Sequence, residues 1–278
     1  MWIFEVKEDF MNKAIKSPLR YPGGKSRAIS QIEKLIPKKM EEYREPFVGG
    51  GSLFIYLKQK YPELKMWIND SNPELYCFWK SAQVNSDKLI KEIQNIKNNE
   101  KNGKSLFNEL VSLNTSFLSE IERATRFFVL NRITFSGLAE SGGYSEMAFN
   151  GRFTQSSIER VSKIEELLQD IKITNLDYEE VLTETISKTF IFLDPPYLSV
   201  TKSKLYGKNG ILHTEFNHDD FAISLKKCNH SWLITYDDSP EIRNNFKFAK
   251  IRKWQLQYGM NNSSGKADKG KEIFISNY

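Results

Sequence analysis

The pattern of apolar and polar positions predicts alternating strands and helices in the first part of the chain. Aliphatic residues recur at helical spacing between residues 29 and 36, and Pro37 ends this run. The segment EYREPF then predicts a short strand, which a glycine-rich turn connects to a helix starting near Ser52. A second apolar segment, LKMWIN, predicts a strand that ends in polar residues. This order of strand, turn, helix and strand is the βαβ unit of an α/β sheet.

A different pattern occupies residues 73–153. Segments there have helical spacing with little strand signal, and they end in a Gly-rich stretch, GLAESGGYSEMAFNGRF. From Gln155 the alternation resumes: a predicted helix leads to predicted strands at IKITNLD, TFIFLDPPY, SWLITYDD and EIFISNY, and further helices are predicted between the first three of these strands. We therefore predict an N-terminal extension over 1–17, an α/β domain formed by 18–72 and 154–278, and a helical insertion over 73–153.

Composition and charge narrow the class of protein only moderately. The chain has 278 residues, and 40 Lys and Arg against 35 Asp and Glu leave a formal charge of +5, which suits an anionic partner without requiring one. Cys77 and Cys228 are far apart, which argues against a disulfide framework or a cysteine zinc site. The sequence has no apolar run of 18 residues and no signal-peptide pattern, so we expect a cytoplasmic protein without a membrane partner.

The strongest chemical signal is the tetrapeptide Asp194-Pro195-Pro196-Tyr197, which follows a predicted buried strand. Ligands of α/β sheets bind at the carboxyl ends of the strands, so this carboxylate is expected in a ligand crevice. The two prolines stiffen the turn and remove backbone donors. Acceptor oxygens beside an aromatic ring suit a planar base with an exocyclic amino group. An ordinary turn at the end of a strand is the alternative interpretation.

The second signal is the glycine-rich turn EPFVGGGS at residues 45–52. Consecutive glycines before a helix allow the backbone to approach a ligand closely. Asp70 ends the next predicted strand, where an acidic residue can accept hydrogen bonds from ribose hydroxyls. An acidic turn residue in NDSNP is the alternative interpretation of Asp70.

A third segment, YPGGKS at residues 21–26, contains a GKS triplet but is not a Walker A motif. That motif requires glycine five residues before Gly24, and Leu19 stands there. The residues His213, His218, Asp219 and Asp220 invite a metal assignment. We interpret them instead as a helix that Asn217 caps, with acidic residues in its first turn, and we predict no metal site.

These motifs occur in an order that resembles the Dam-like class of DNA adenine-N6 methyltransferases, in the arrangement where the cofactor motifs come first. The resemblance extends from Pro18 to Tyr278. The matching segments are RYPGGK, EPFVGGGSLF, NDSNPELY, FFVLNR, GRFTQ, NLDYEEVL, DPPY, NHDDFAISL, TYDDSPEIR and KGKEIFISNY. The resemblance implies a Rossmann-like class I methyltransferase sheet with helices on both faces, and it makes the helical insertion a target-recognition domain.

The resemblance also implies roles for particular residues. Residues implied to bind S-adenosylmethionine are Tyr21, Gly23, Lys25, Phe47, Gly49, Gly51, Asp70, Asp177 and Asp194. Asp194 and the Pro195 carbonyl would accept the two N6 hydrogens of an adenine flipped out of duplex DNA, and Tyr197 would stack on that base, with Pro196 completing the motif.

Target recognition is expected in the insertion. Residues expected to contact DNA are Arg126, Arg132, Phe135, Ser136 and Glu140. In members that methylate GATC, the turn carries an aromatic wedge, then Asn, and later an Arg that reads a base. Here Phe135 matches the wedge, whereas Ser136 replaces Asn and Glu140 replaces Arg. Since arginine reads guanine and glutamate can only accept hydrogen bonds, we predict a recognition sequence other than GATC.

Two other functional classes stay open at this point. The same chemistry could act on cytosine N4, on RNA adenine or on a protein glutamine, although related enzymes usually carry Ser or Asn where this chain has Asp194. A non-catalytic DNA-binding or cofactor-sensing relative is the second alternative. The expected partners are double-stranded DNA and, for a restriction-linked enzyme, a cognate endonuclease. We expect a monomer of bacterial, archaeal or phage origin.

Overall fold

The computed structural model describes residues 14–139, 141–183, 188–198, 216–257 and 269–278. Its strands are β1 (Glu42–Glu45), β2 (Lys65–Asn69), β3 (Lys172–Thr174), β4 (Thr189–Leu193), β5 (Ser231–Asp237), β6 (Lys250–Gln257) and β7 (Lys269–Ser276). Its α-helices are α1 (Ile29–Glu33), α2 (Ser52–Lys60), α3 (Pro73–Val84), α4 (Ser86–Asn99), α5 (Gly103–Ser112), α6 (Glu120–Ile133), α7 (Glu146–Arg152), α8 (Gln155–Leu168), α9 (Tyr178–Thr183), α10 (His218–Lys227) and α11 (Pro240–Asn245).

The described strands form one sheet in the order β3-β2-β1-β4-β5-β7-β6. The first five strands of this order pair in parallel, and β7 runs antiparallel to both β5 and β6. The chain order reverses at β1, which has β2 on one side and β4 on the other. A crevice at the carboxyl ends of the strands is expected at such a reversal.

Helices cover both faces of this sheet. Neighbouring residues of a strand point to opposite sides, so apolar strands give each face its own apolar core. In β4, Phe190 and Phe192 belong to one apolar core, and Ile191 and Leu193 belong to the other. The first core packs against α2, α3, α6 and α8, and the second packs against α9, α10 and α11. The predicted Rossmann-like sheet with helices on both faces is confirmed.

The helical insertion is not a separate body, because α3 and α6 share the first core with the sheet. Phe78 of α3 stacks on Phe128 of α6, with ring centroids 5.8 Å apart and planes within 13°. Arg123 of α6 donates two hydrogen bonds to Glu74 of α3, at 3.0 and 2.6 Å. The predicted domain boundaries at residues 73 and 153 stay a prediction. Helices α3 and α6 lie between these boundaries, yet they pack in the same core as the sheet.

Local sequence explains most element boundaries. Asn72 caps α3 by accepting hydrogen bonds from the backbone N–H groups of Glu74 and Leu75, and Pro73 occupies the first helical position. Asn217 caps α10 in the same way, as predicted. The sequence patterns did not predict α11, a helix of six residues, or β6, a charged strand at the sheet edge. Among the described residues, no helix is long and apolar enough to cross a bilayer.

The shared core predicts that a substitution in α6 destabilises the whole domain. Phe128 is fully buried, so we expect Phe128→Ala to lower the free energy of unfolding by about 3–5 kcal/mol. Phe117 is 86% exposed, so Phe117→Ala should change it by less than about 0.5 kcal/mol. Urea denaturation followed by tryptophan fluorescence measures both variants, and a separate early transition of the insertion would contradict the shared core.

Candidate active site

A cavity of about 260 Å³ lies at the carboxyl edge of the sheet, where β1 and β4 are neighbours. Three segments that are distant in sequence line it: the loop at 21–25, the glycine turn at 47–53 with Asp70, and the segment at 194–197. The strand order brings them together, because the glycine turn follows β1, Asp70 follows β2 and Asp194 follows β4. Most of the residues predicted to bind cofactor therefore surround one cavity.

The backbone of the glycine turn is packed so closely that Gly49 and Gly51 have no space for a side chain. Gly49 and Gly51 have φ angles of 47° and 69°, in the left-handed region. A Cβ atom at Gly51 would lie 2.3 Å from the Phe54 ring, and one at Gly49 would lie 2.8 Å from the Tyr21 ring. Tyr21 therefore packs directly on the turn, and Trp79 donates a hydrogen bond to the Gly49 carbonyl (3.1 Å).

Asp70 ties the second strand to this turn. Its carboxylate accepts hydrogen bonds from the backbone N–H of Gly49 and of Asn72, both at 3.0 Å. Burial raises the pKa of Asp70 to about 6, although these two hydrogen bonds oppose the increase. The carboxylate is thus held at the cavity wall, where it is poorly solvated in its charged form.

Asp194 is held between two donors. Lys25 Nζ donates to Oδ2 at 2.7 Å and also to the Gly23 carbonyl at 2.8 Å, while Thr235 Oγ1 donates to Oδ1 at 2.7 Å. Lys25 is buried, and Asp194 keeps partial exposure towards the cavity. Each carboxylate oxygen has a second lone pair, so Asp194 can still accept hydrogen bonds from a ligand.

Tyr197 closes the same side of the cavity. Its hydroxyl donates to Glu272 Oε2 at 3.2 Å, and Lys25 Nζ lies 5.0 Å from its ring centroid. Burial raises the pKa of the Tyr197 hydroxyl well above its ordinary value, and the charges of Asp194 and Glu272 add to this effect. The phenol therefore remains a neutral hydrogen-bond donor that fixes the orientation of the ring.

Acidic groups dominate the polar wall. Glu45 is buried at the end of β1 and accepts a hydrogen bond from the Tyr43 hydroxyl at 2.7 Å. Burial raises the pKa of Glu45 to about 8, and the nearby charges of Asp194 and Asp70 contribute. A cationic group in the cavity would favour the ionised forms of Glu45 and Asp70, so the wall favours a ligand that carries positive charge. This is the character of a sulfonium ligand, so the wall fits S-adenosylmethionine.

Sequence reasoning missed several residues of this site. Glu45 belongs to the conspicuous EPF segment, but no role was assigned to it. Thr235 and Glu272 lie on β5 and β7, and only the sheet pairing brings them beside Asp194 and Tyr197. Lys25, which was predicted to bind the cofactor, also forms an ion pair with Asp194, and no sequence pattern indicated this pairing.

Asp177 is placed differently from the other predicted cofactor residues. It is exposed, it accepts a hydrogen bond from the Glu179 backbone N–H at 2.8 Å in the first turn of α9, and it is not part of the cavity wall. Phe47 does line the cavity, and its ring packs against Tyr178 and Phe216 at centroid distances of 5.6 and 5.8 Å. The prediction for Asp177 stays a prediction.

The residues predicted to contact DNA fall into two environments. Phe135 and Ser136 are exposed on a short turn after α6, where Ser136 has a φ of 54°. Arg126 lies in the interior, where it donates to the Leu110 carbonyl at 2.7 Å, so the structure does not support a DNA contact for it. Arg132 is also buried, and Glu140 lies outside the described residues.

The remaining metal candidates have structural roles. The Nδ1 atom of His218 is hydrogen-bonded to the Tyr236 hydroxyl, and Asp220 lies in the capped first turn of α10. His213 lies outside the described residues. Within the part of the chain that the structure describes, no group of three or more His, Cys, Asp or Glu side chains could hold a metal ion.

The strand order, with its antiparallel β7 and its glycine turn after β1, defines the class I methyltransferase fold. The sequence matches the family model of the D12 class N6 adenine-specific DNA methyltransferases over residues 21–260, and the chain belongs to this family. The predicted family resemblance is confirmed.

Curated relatives agree with this family. Type II methyltransferase M.MjaIII of Methanocaldococcus jannaschii is 30% identical over 225 residues, which cover 74% of this chain and 76% of that protein. Type II methyltransferase M1.LlaDCHI of Lactococcus lactis is 28% identical, with coverage of 93% and 94%. A DNA adenine methylase of Haemophilus influenzae is 24% identical, with coverage of 92% and 91%.

The geometry of the glycine turn generates a stability prediction. Because Gly51 is left-handed and its Cβ position is occupied, we expect Gly51→Ala to lower the free energy of unfolding by at least about 1–2 kcal/mol. Gly151, in α7, has open space at its Cβ position, so Gly151→Ala should raise the free energy of unfolding by about 0.5–1 kcal/mol. Equal effects of the two substitutions in thermal denaturation would contradict the described turn.

Proposed function

We propose that this protein transfers a methyl group from S-adenosylmethionine to N6 of an adenine that is flipped out of double-stranded DNA. The observation that carries the proposal is the meeting of Asp194 and Tyr197 with the glycine turn and Asp70 around one acidic cavity. The glycine turn, Tyr21 and Asp70 would hold the cofactor, which supplies an electrophilic methyl group when bound. The same cavity would receive the target base beside Asp194.

The residues of the chain act on the target base by hydrogen bonding and orientation. The lone pair of an adenine amino group is delocalised into the ring, so this nitrogen is a poor nucleophile. Asp194 and the Pro195 carbonyl would accept its two hydrogens and favour a more tetrahedral nitrogen with an available lone pair. Holding the reacting atoms in line supplies a large part of the barrier lowering.

Lys25 and Thr235 give Asp194 a fixed position for this task. Both donate to its carboxylate, so the side chain has one orientation before the base arrives. Asp194 need not act as a strong base, because the proton can leave the amino group after the transfer. Tyr197 would stack on the flipped base, and stacking worth about 1–3 kcal/mol per base offsets part of the cost of flipping.

Mapping of modified bases tests the activity directly. We expect expression in a host without adenine methylation to give N6-methyladenine at one short sequence other than GATC, detected by single-molecule sequencing. Asp194→Ala should reduce methylation at least about 100-fold, because an acceptor of the reacting group is lost. Asp87→Ala, an exposed substitution in α4, is the matched control and should leave activity unchanged.

The alternatives predict other outcomes of the same experiment. Cofactor binding without N6-methyladenine would contradict the proposal, and assays on cytosine N4, RNA adenine and protein glutamine would then follow. Cofactor binding without any turnover would favour a non-catalytic relative. A cognate endonuclease and a monomeric state stay predictions, which co-purification and size-exclusion chromatography would test.

The raised pKa of Asp70 predicts a pH dependence of cofactor affinity. If the carboxylate form accepts hydrogen bonds from the ribose, affinity is lost as the pH falls through about 6, where Asp70 becomes protonated. We therefore expect binding of S-adenosylmethionine, measured by calorimetry, to be roughly tenfold weaker at pH 5 than at pH 7. Asp70→Asn should bind weakly at both values, and an undiminished pH dependence in this variant would assign the titration to another group.

A further inference from the structure

Glu272 on β7 is an acidic residue at a position that core packing alone would fill with an apolar side chain. It is 3% exposed, and strand alternation places it on the same face of the sheet as Phe274. Its cross-strand neighbour on β6 is Trp254, whose ring stacks on Phe274 with centroids 4.4 Å apart. Both aromatic residues belong to the first apolar core. Since a buried carboxyl group costs free energy unless it is hydrogen-bonded, we expect Glu272 to have a role beyond packing.

The contact of Glu272 with the site is the hydroxyl of Tyr197, which donates to Oε2 at 3.2 Å. Glu272 is not one of the residues that line the cavity, so it meets the Tyr197 ring from behind. The hydrogen bond fixes the outer end of this ring. The neighbouring ring of Tyr236, with centroids 5.8 Å apart and planes at 32°, limits rotation of the Tyr197 ring about its own axis. The two contacts together define where the face of the ring lies.

The strand next to β7 holds the residue that follows Tyr197. Asp237 of β5 is the cross-strand partner of Glu272, and its carboxylate accepts a hydrogen bond from the Leu198 backbone N–H at 3.2 Å. Two adjacent acidic residues on paired strands therefore hold two successive residues, Tyr197 and Leu198. Strands support a site more precisely than loops do, so this pair gives the segment a rigid attachment.

The charge state of Glu272 does not decide whether this contact forms. Burial raises the pKa of Glu272 to about 7, and the positive charge of Lys25 opposes this increase. The negative charges of Asp194 and Asp237 add to it. Both protonation states of a carboxyl group keep an oxygen that can accept a hydrogen bond. The Tyr197 hydroxyl therefore has an acceptor on either side of neutral pH.

We infer that Glu272 is a positioning residue for methyl transfer, because it fixes the Tyr197 ring on which the target adenine stacks. This inference rests on the proposed function, since it requires a base in the cavity beside Asp194. The face of the ring determines the plane of a stacked base, and this plane determines whether N6 lies in line with the methyl group. A misplacement of about 1 Å can lower a rate about 100-fold, so the loss of this hydrogen bond should slow the reaction.

Three variants test the role of Glu272 on a duplex that contains the sequence identified by base mapping. Glu272→Met removes the acceptor and keeps a side chain of similar length. We expect it to lower the single-turnover rate at least about tenfold, with an unchanged Kd for S-adenosylmethionine in calorimetry. Glu272→Gln keeps an acceptor oxygen, so its rate should stay within about threefold of the wild type. Trp254→Phe is the matched control, because it changes the packing beside Glu272 without removing the hydrogen bond, and it should lower the melting temperature but not the rate.

A double-mutant cycle tests the hydrogen bond itself. Tyr197→Phe removes the hydroxyl and keeps the ring, so it should slow single-turnover methylation about as much as Glu272→Met does. The double variant should be no slower than either single variant, because both substitutions break the same hydrogen bond. Rate losses that multiply would show that the two residues act independently and would overturn the inference. If Glu272→Met does not fold, the nearly isosteric Tyr197→Phe still decides, because an unchanged rate in this variant overturns the inference.

The remaining outcomes separate this inference from a catalytic role and from the proposed function. A Glu272→Gln variant as slow as Glu272→Met would indicate that the carboxyl group accepts a proton, and it would overturn the positioning role. A folded Glu272→Met variant with the wild-type rate would overturn the inference and leave the proposed function intact. Wild-type protein that binds S-adenosylmethionine and methylates no adenine in DNA would overturn the proposed function, and the inference with it.

Discussion

The site depends on the parallel pairing of β1 with β4, in which Glu42, Tyr43 and Arg44 pair with Thr189, Phe190 and Ile191. The two strands are separated in sequence by the whole helical insertion, yet their carboxyl ends lie side by side. Because parallel strands end at the same edge, the glycine turn and Asp194 must meet there. The neighbouring strands extend this effect, since β2 adds Asp70 and β5 adds Thr235.

This arrangement concentrates carboxyl groups in a poorly solvated place. Glu45 and Asp70 both have raised pKa values, chiefly because burial disfavours their charged forms. Lys25 offsets part of this charge through its ion pair with Asp194. A cationic ligand would lower the pKa values of Glu45 and Asp70 and favour their ionised forms, so the cavity would prefer a cation such as the proposed cofactor.

The helical insertion contributes to this site through shared packing as well as through its own surface. Trp79 of α3 donates to the glycine turn, and Asn131 of α6 holds the backbone of Arg20 just before Tyr21. The exposed turn at Phe135–Gly137 and the cavity loop at 21–25 are thus supported by the same helices. Movement of one relative to the other would disturb the core that contains Phe78 and Phe128.

The sequence by itself determined the elements that depend on local patterns. Apolar periodicity predicted the main strands, Asn217 predicted the cap of a helix, and the order of the motifs predicted the family and most residues of the cavity. Tertiary structure alone decided which distant groups meet. Lys25 pairs with Asp194, Glu272 accepts a hydrogen bond from Tyr197, and Arg126 is buried where it donates to the Leu110 carbonyl. No local pattern encodes these contacts, because strand order and helix packing determine which side chains become neighbours, and their pKa values follow from the burial that results.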